Sequence, residues 1–260
     1  MFSYVKRFFN KYVLIIALIV VWEITTQLKL ISPIFLPPFS RVIEAIIEMI
    51  KTGEFIANFR ISIFRAMSGF VIAALIGIPI GLLLGGWFKK LKLALNMLLE
   101  ICSQINPFLM FHLILIFLGI GEFSKISILV WTCLWPIIFS TISGINNINP
   151  QILKIGRTFG LGRVLMFIKI ILPASAPGIF NGLRLAAGYS LLMLTAAEMM
   201  GAKSGLGYLI IYSQQNFKIT EMYAVVLIIA ISALVIDYIM SLIEKKIIIF
   251  EEQGIINSNY

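Results

Sequence analysis

The chain has 260 residues, of which 60% are hydrophobic and only 13% charged. A water-soluble domain carries about a quarter charged residues, so there is too little polar surface here to coat a soluble globule. The formal charge of +9 is scattered between apolar runs, which fits orientation in a lipid bilayer and argues against nucleic acid as a partner.

A bilayer core takes about 20 apolar residues per helix. That length predicts spans near 12–29, 66–88, 104–119, 125–145, 178–200 and 222–243. The fold class expected is an all-α integral membrane protein of about six transmembrane helices, with no internal repeat. Lys6, Arg7 and Lys11 precede the first apolar run as they would in a signal peptide. No small-residue cleavage site follows, and Trp22 and Glu23 stand where one would be needed, so the first span is expected to be uncleaved. After Pro37-Pro38, Ser40 can cap a helix. Arg41, Glu44, Glu48 and Lys51 then recur at helical spacing with apolar residues between them. That pattern is an amphipathic helix lying on a surface.

In the second span Gly69, Ala73, Gly77, Gly81 and Gly85 step by four along one face. Small residues in such a row let a second helix approach closely. Pro79, inside the row, predicts a kink. The third span is interrupted by Asn106-Pro107 and closed by Gly119–Glu122. Between the fourth and fifth lies a basic loop, 146–177. It reads as a short helix from Pro150 to Phe159, a break at Gly160 and Gly162, and a second stretch from Arg163 to Ile171 that Leu172-Pro173 should end. Phe159, Leu161, Leu165 and Phe167 are then available as knobs for a groove on a partner.

Lys and Arg orient the chain. With the N-terminus inside, the inner segments hold Lys6, Arg7, Lys11, Lys89, Lys90, Lys92, Lys154, Arg157, Arg163, Lys169, Lys245 and Lys246. The outer ones hold half as many: Lys29, Arg41, Lys51, Lys125, Lys203 and Lys218. This bias predicts cytoplasmic termini and a cytoplasmic 146–177 loop.

Chemistry is sparse. The sequence has no phosphate-binding loop; Gly201-Ala202-Lys203-Ser204 lacks the upstream glycine spacing. With one His and one Asp there is no triad, and Cys102 and Cys133 form neither a disulfide pattern nor a metal site. No enzyme activity, cofactor or metal is expected. The ionisable residues Glu23, Glu198, Asp237 and His112 in or beside spans are candidates for function. Each reads first as an interfacial or inter-helix hydrogen bond, which weakens a proton-driven mechanism. Arg184 is expected to brace the 146–177 loop, and Gly205-Leu206-Gly207 to form an outer turn.

The loop carries a resemblance. Coupling loops of type I ABC importer permeases read E-A-A, three residues, Gly, nine residues, then I-x-L-P. Here Gly160, Ile170, Leu172 and Pro173 fall in that register, with Lys154, Ile155 and Gly156 in the E-A-A positions. From Phe55 onward the chain resembles the permease subunit of the nitrate/sulfonate/taurine branch of ABC importers. The strings that carry it are SIFRAMSGFVIAALIGIPIGLLLGG (62–86), FLGIGEFSKI (117–126), GRTFGLG (156–162), IILPASAPGIFNGLRLAAG (170–188) and AEMMGAKSGLGYLI (197–210). The resemblance implies a homodimer of permeases in a bacterial inner membrane, two copies of an ABC ATPase docked on the coupling loops, and an external solute-binding protein. It implies coupling residues Lys154, Arg157, Phe159, Gly160, Leu161, Gly162, Leu172 and Pro173, with Gly69, Gly77, Gly81 and Gly85 for helix packing. Three regions follow: an N-terminal span and outer amphipathic segment (1–54), a permease core (55–245), and a cytoplasmic tail (246–260). The solute expected is small and anionic; the same architecture also serves thiamine-precursor pyrimidines. On residues alone an ion-coupled secondary transporter and a scaffold without transport stay open.

Overall fold

The computed structural model describes residues 2–257, with side chains described for 13–245 except Ile15 and Lys89. Lys6, Arg7, Lys11, Lys89 and Lys246 of the orientation argument therefore lie outside the described side chains, as does the 246–260 tail. The regular elements of the described chain are all helices. It runs α1 (Phe2–Gln27), α2 (Phe39–Lys51), α3 (Glu54–Leu82, extended by a π turn at Leu83–Trp87), α4 (Lys89–Gln104) and α5 (Pro107–Leu118). Then come α6 (Glu122–Asn146), α7 (Pro150–Thr158), α8 (Arg163–Met166, continued by a π turn at Phe167–Ile171), α9 (Leu172–Met199), α10 (Leu206–Gln215) and α11 (Ile219–Asn257).

Four helical stretches are long and apolar enough to cross a membrane: Glu54–Trp87, Glu122–Asn146, Arg163–Met199 and Ile219–Lys245. The third expected span is not a straight crossing. Lys90–Gln104 and Pro107–Leu118 meet at 86°. Asn106 is extended there and its side chain accepts from the Phe108 N–H at 2.9 Å, with Pro107 in the first turn of α5. An Asn cap followed by proline starts a new helix in a new direction. At the N-terminus, α1 runs for 26 residues, and Ile16–Gln27 is the apolar part of it whose side chains are described.

The expected stop at Pro173 is also absent. Helix runs unbroken from Arg163 to Met199 because Phe167–Ile171 forms a π turn immediately before the proline. The wider turn shifts the hydrogen-bond register where Pro173 lacks a donor, and the helix continues.

Small residues build the centre. A Cβ on Gly77 would lie 3.0 Å from Ile137 Cγ2, on Gly81 2.6 Å from Thr141 Cβ, and on Gly85 2.8 Å from Ile145 Cδ1, while Gly69 packs against Leu129. The contact on α6 advances in step with the glycine on α3, so these two helices run in the same direction. On its other side α6 meets α9 running the opposite way, backbone to backbone at Gly144 and Gly178, with Gly182 against Ser140. Where lipid removes the hydrophobic drive between helices, this close approach supplies the dispersion contact that holds them.

Around this centre, Val42 and Met49 of α2 pack with Leu209 of α10 and Val225 of α11. The exposed face of α2 carries Arg41, Glu44, Glu48 and Lys51, as its periodicity predicts. Ser40 does not cap α2, which starts after Pro38 with no side-chain cap. Instead Glu23 of α1 accepts from the Ser40 N–H at 3.1 Å and hydroxyl at 2.9 Å. A carboxylate on another helix thus serves the open N–H groups of α2.

Candidate functional site

The coupling segment is built from its caps. Asn149 accepts from the Gln151 N–H at 2.9 Å and starts α7 with Pro150 in its first turn. Gly160, at φ 69°, ends it. That left-handed conformation is the usual glycine helix stop, and the Leu161 N–H donates back to the Gly156 carbonyl at 3.2 Å. Gly156 is buried because α7 crosses the π turn there: a Cβ would lie 2.5 Å from Ile170 Cδ1. The Phe167 ring sits 5.1 Å from that of Trp87 and over Gly86, tying the segment to the end of α3.

The expected coupling residues fall into two groups. Lys154, Arg157, Phe159, Gly160, Gly162 and Pro173 are exposed, Phe159 at 79%. Leu161 is half-buried, with its Cδ1 3.7 Å from where a Gly156 Cβ would stand, and Leu172 sits at the start of α9. Of the four knobs, Phe159 and Leu165 face outward, while Leu161 and Phe167 turn back into the segment. Arg157 and Arg163 border a cavity of about 380 Å³ shared with Trp87, Met166 and Phe167. Among the described residues none pairs with the side chains of Lys154, Arg157 or Arg163.

At the opposite end of the bundle lies a charge cluster that the sequence reading did not assemble. Arg65 of α3 donates to Glu122 at 2.6 and 2.7 Å, to Glu198 at 2.8 Å and to the Ser204 carbonyl at 2.7 Å. Lys125, one turn after Glu122, donates to it at 3.1 Å. Glu198 also accepts from the Ser62 hydroxyl at 2.8 Å and the Gly207 N–H at 3.0 Å. Arg65, Lys125 and Glu198 are all buried. Two cations meet two carboxylates, so the cluster is neutral and its buried polar groups are satisfied. Gly205, at φ 117°, packs directly on the Glu198 carboxylate, where a Cβ would collide. Gly205-Leu206-Gly207 is not a turn as expected: Gly205 ends the loop, and Leu206 and Gly207 open α10, whose start is clamped to α3 and α9 through Asn58, Ser62 and Glu198. The signal was available. Ser62 and Arg65 head the glycine row of α3 by one turn, and Glu122 and Lys125 head α6, the helix that row packs against.

Other candidates are structural. Arg184 does not reach the loop; it donates to Asp237 of α11 at 2.7 and 2.9 Å and to Glu244 at 3.4 Å. His112 Nδ1 lies 2.8 Å from the Phe108 carbonyl of its own helix. Glu23 serves α2 as described.

Residues 77–249 match the family described as the binding-protein-dependent transport system inner membrane component. The chain belongs to that family. The permease is 33% identical to a putative ABC transporter permease protein of Methanocaldococcus jannaschii over 239 residues, covering 90% of this chain and 89% of the relative. It is 29% identical to the putative aliphatic sulfonates transport permease protein of Bacillus subtilis, covering 89% of this chain and 83% of that one. In fold it is similar to a chain of the MetNI methionine ABC transporter, with a TM-score of 0.63 and 19% identity over 72% of this chain and 92% of the other. The resemblance read from the coupling-loop spacing and from the strings between Ser62 and Ile210 is borne out: this is a type I ABC importer permease of the nitrate/sulfonate/taurine branch. Its family is a transport family, whose members work with ATPase and solute-binding partners.

Proposed function

We propose that two copies of this permease form one translocation path for a small oxyanion of sulfonate, taurine or nitrate type. Each copy carries one ATPase subunit on residues 150–173, with its termini in the cytoplasm. The solute-binding protein sits over the Gly205 loop at the outer face. Residues 55–245 are the working core, 1–54 a peripheral span and outer helix, and 246–260 a tail. ATP is hydrolysed on the partner, because this chain has no phosphate loop.

The observation that carries this reading is the unbroken helix from Arg163 to Met199. A continuous helical stretch that begins in the docking segment and ends beside Glu198 links the two ends of the bundle through one element, with the π turn at Phe167–Ile171 and Pro173 and Pro177 as the places where it can bend. Phe159 and Leu165 give the docking face its apolar anchors, and Lys154, Arg157 and Arg163 its unpaired charge. Gly160 and Gly162 shape the turn between the two short helices, and Leu172-Pro173 starts the spanning part.

Reconstitution tests this. Proteoliposomes holding the permease, its ATPase and its binding protein should accumulate solute only with ATP. Accumulation by the permease alone under a proton gradient would replace the reading with a secondary transporter. For orientation, a cysteine at Asn147 should label from the cytoplasmic side and one at Lys203 from outside. Labelling of both from one side overturns the topology.

A further inference from the structure

Along α6, Thr132, Ser140, Ser143 and Asn147 fall on one face at helical spacing, and along α9 so do Asn181, Leu185, Tyr189 and Leu192. The two faces adjoin and form a single seam. A groove of about 630 Å³ opens between them at the coupling-loop end, bordered by Ser140, Ser143, Asn147 and Asn181. A second, of about 220 Å³, lies further along past Thr132 and Tyr189 and is lined mainly by apolar side chains, among them Phe108, Leu192 and Met193. The floor is closed by the backbone contact of Gly144 with Gly178. Asn181, Ser143 and Asn147 are exposed. Asn147 donates only weakly to Ser143, at 3.4 Å, and among the described residues the side chains of Ser140 and Asn181 have no hydrogen bond.

The other exposed faces are different. Phe64, Met67 and Leu75 on α3, and Leu234, Val235 and Leu242 on α11, are apolar. Unpaired amides and hydroxyls do not face hydrocarbon when apolar alternatives surround them, so the coupling-loop end of the seam faces water, while further along Leu185 and Leu192 make it apolar. Neither groove is lined by Lys or Arg. The nearest cation on α9, Arg184, is bound by both Asp237 and Glu244.

We propose that the α6–α9 seam is the solute-facing wall of the path, and that it handles an oxyanion with neutral donors, the hydroxyls of Ser140 and Ser143 and the amides of Asn147 and Asn181. This rests on the importer reading above and adds the lining and its chemistry. Neutral donors solvate an oxyanion without the fixed positive charge that would hold it, and conduction needs binding weak enough to release. The second copy of the chain closes the open side.

The test uses the complete transporter in nanodiscs, with Cys102→Ser and Cys133→Ala as the background. Single cysteines go in at Asn181 and Ser143, with Leu75→Cys and Leu234→Cys as apolar-face controls. The probe is a thiol reagent carrying a sulfonate, compared with its trimethylammonium counterpart. Both seam cysteines should react with the sulfonate reagent about tenfold faster or more than the controls, because only a hydrated site supports the thiolate. Ser143→Cys changes one atom and guards against a misfolded Asn181→Cys. Seam cysteines as inert as the controls would overturn the proposal and leave the importer reading standing. Reaction with the cationic reagent alone would overturn the oxyanion assignment. Failure of ATP-driven uptake in the unsubstituted transporter would strike the importer reading, whatever the labelling shows.

Discussion

At the Gly205 end of the permease, Arg65, Lys125, Glu122 and Glu198 are locked together within hydrogen-bond distance and three of the four are buried. At the coupling-loop end, Lys154, Arg157 and Arg163 are exposed without an ionic partner in the described chain, beside the exposed Phe159 ring. One end spends its charge internally, fixing α3, α6, α9 and the Gly205 loop relative to one another. The other leaves its cations without an ionic partner among the described residues, as the proposed docking face would need. Between them the same helices are in contact through glycine, where a shift of one element moves its neighbour. The contrast separates a clamp from a docking face, and substitutions at each should fail in different ways.

The largest effect is expected at the clamp. Arg65→Met leaves Glu198 buried and unpaired, and breaking one side of a buried pair costs about 3–5 kcal/mol. The purified variant should melt well below the parent in detergent, and a cysteine at Lys203 should become more reactive as the loop loosens. A melting temperature equal to the parent's would show that the cluster does not hold the end together.

Gly81→Leu comes next. A Cβ alone would already stand 2.6 Å from Thr141 Cβ, so α3 and α6 must separate. Overpacking of this kind costs about 1–3 kcal/mol. Gly188→Leu is the matched control, since this glycine is also inside a long helix and nothing lies within 4 Å of a Cβ there. Equal yields of folded Gly81→Leu and parent would place the glycine row against something softer than α6.

The glycine row, the amphipathic α2 and the coupling-loop turn were legible because each is a local pattern. Period four names a face, and Gly160 names a stop. What escaped was set by contacts between distant segments. Pro173 reads as a helix end until the π turn at Phe167–Ile171 is known, and nothing in FIKII marks a π turn. Ser40 reads as a cap until Glu23 is found beside it. Arg65 has no charged neighbour within a helical turn, and its partners lie 57 and 133 positions away. The seam polar residues are ordinary in sequence; only the pairing of α6 with α9 makes them one surface.

At the docking face, Phe159→Asp should leave folding untouched, because the ring is 79% exposed, yet remove the main apolar anchor. Loss of such an anchor costs upward of about 2 kcal/mol of binding. Co-purification of the ATPase should fall by roughly thirtyfold or more by the same scale, with an unchanged melting curve for the permease alone. Phe159 is a cleaner choice than Leu161, whose side chain is half inside the segment. Retained co-purification would mean that the partner grips elsewhere.

The smallest effect is expected at Lys154. The family pattern places Glu at this position, so Lys154→Glu restores the family's charge while reversing this chain's own. The side chain is exposed and has no ionic partner in the described chain, and an exposed ion pair with a partner protein is worth at most about 1 kcal/mol. Lys154 also shares its surface with Arg157 and Arg163, so one reversal leaves the local field positive. ATPase co-purification should therefore change by no more than about fivefold, and the change should shrink as salt is raised, since screening acts on exposed charges. Phe159→Asp should show a larger loss that survives salt. If Lys154→Glu abolishes assembly while Phe159→Asp leaves it intact, charge and not the apolar anchor holds the ATPase. The coupling-loop end would then resemble the Gly205 end after all, an ion-pair clamp whose second half is carried by the partner.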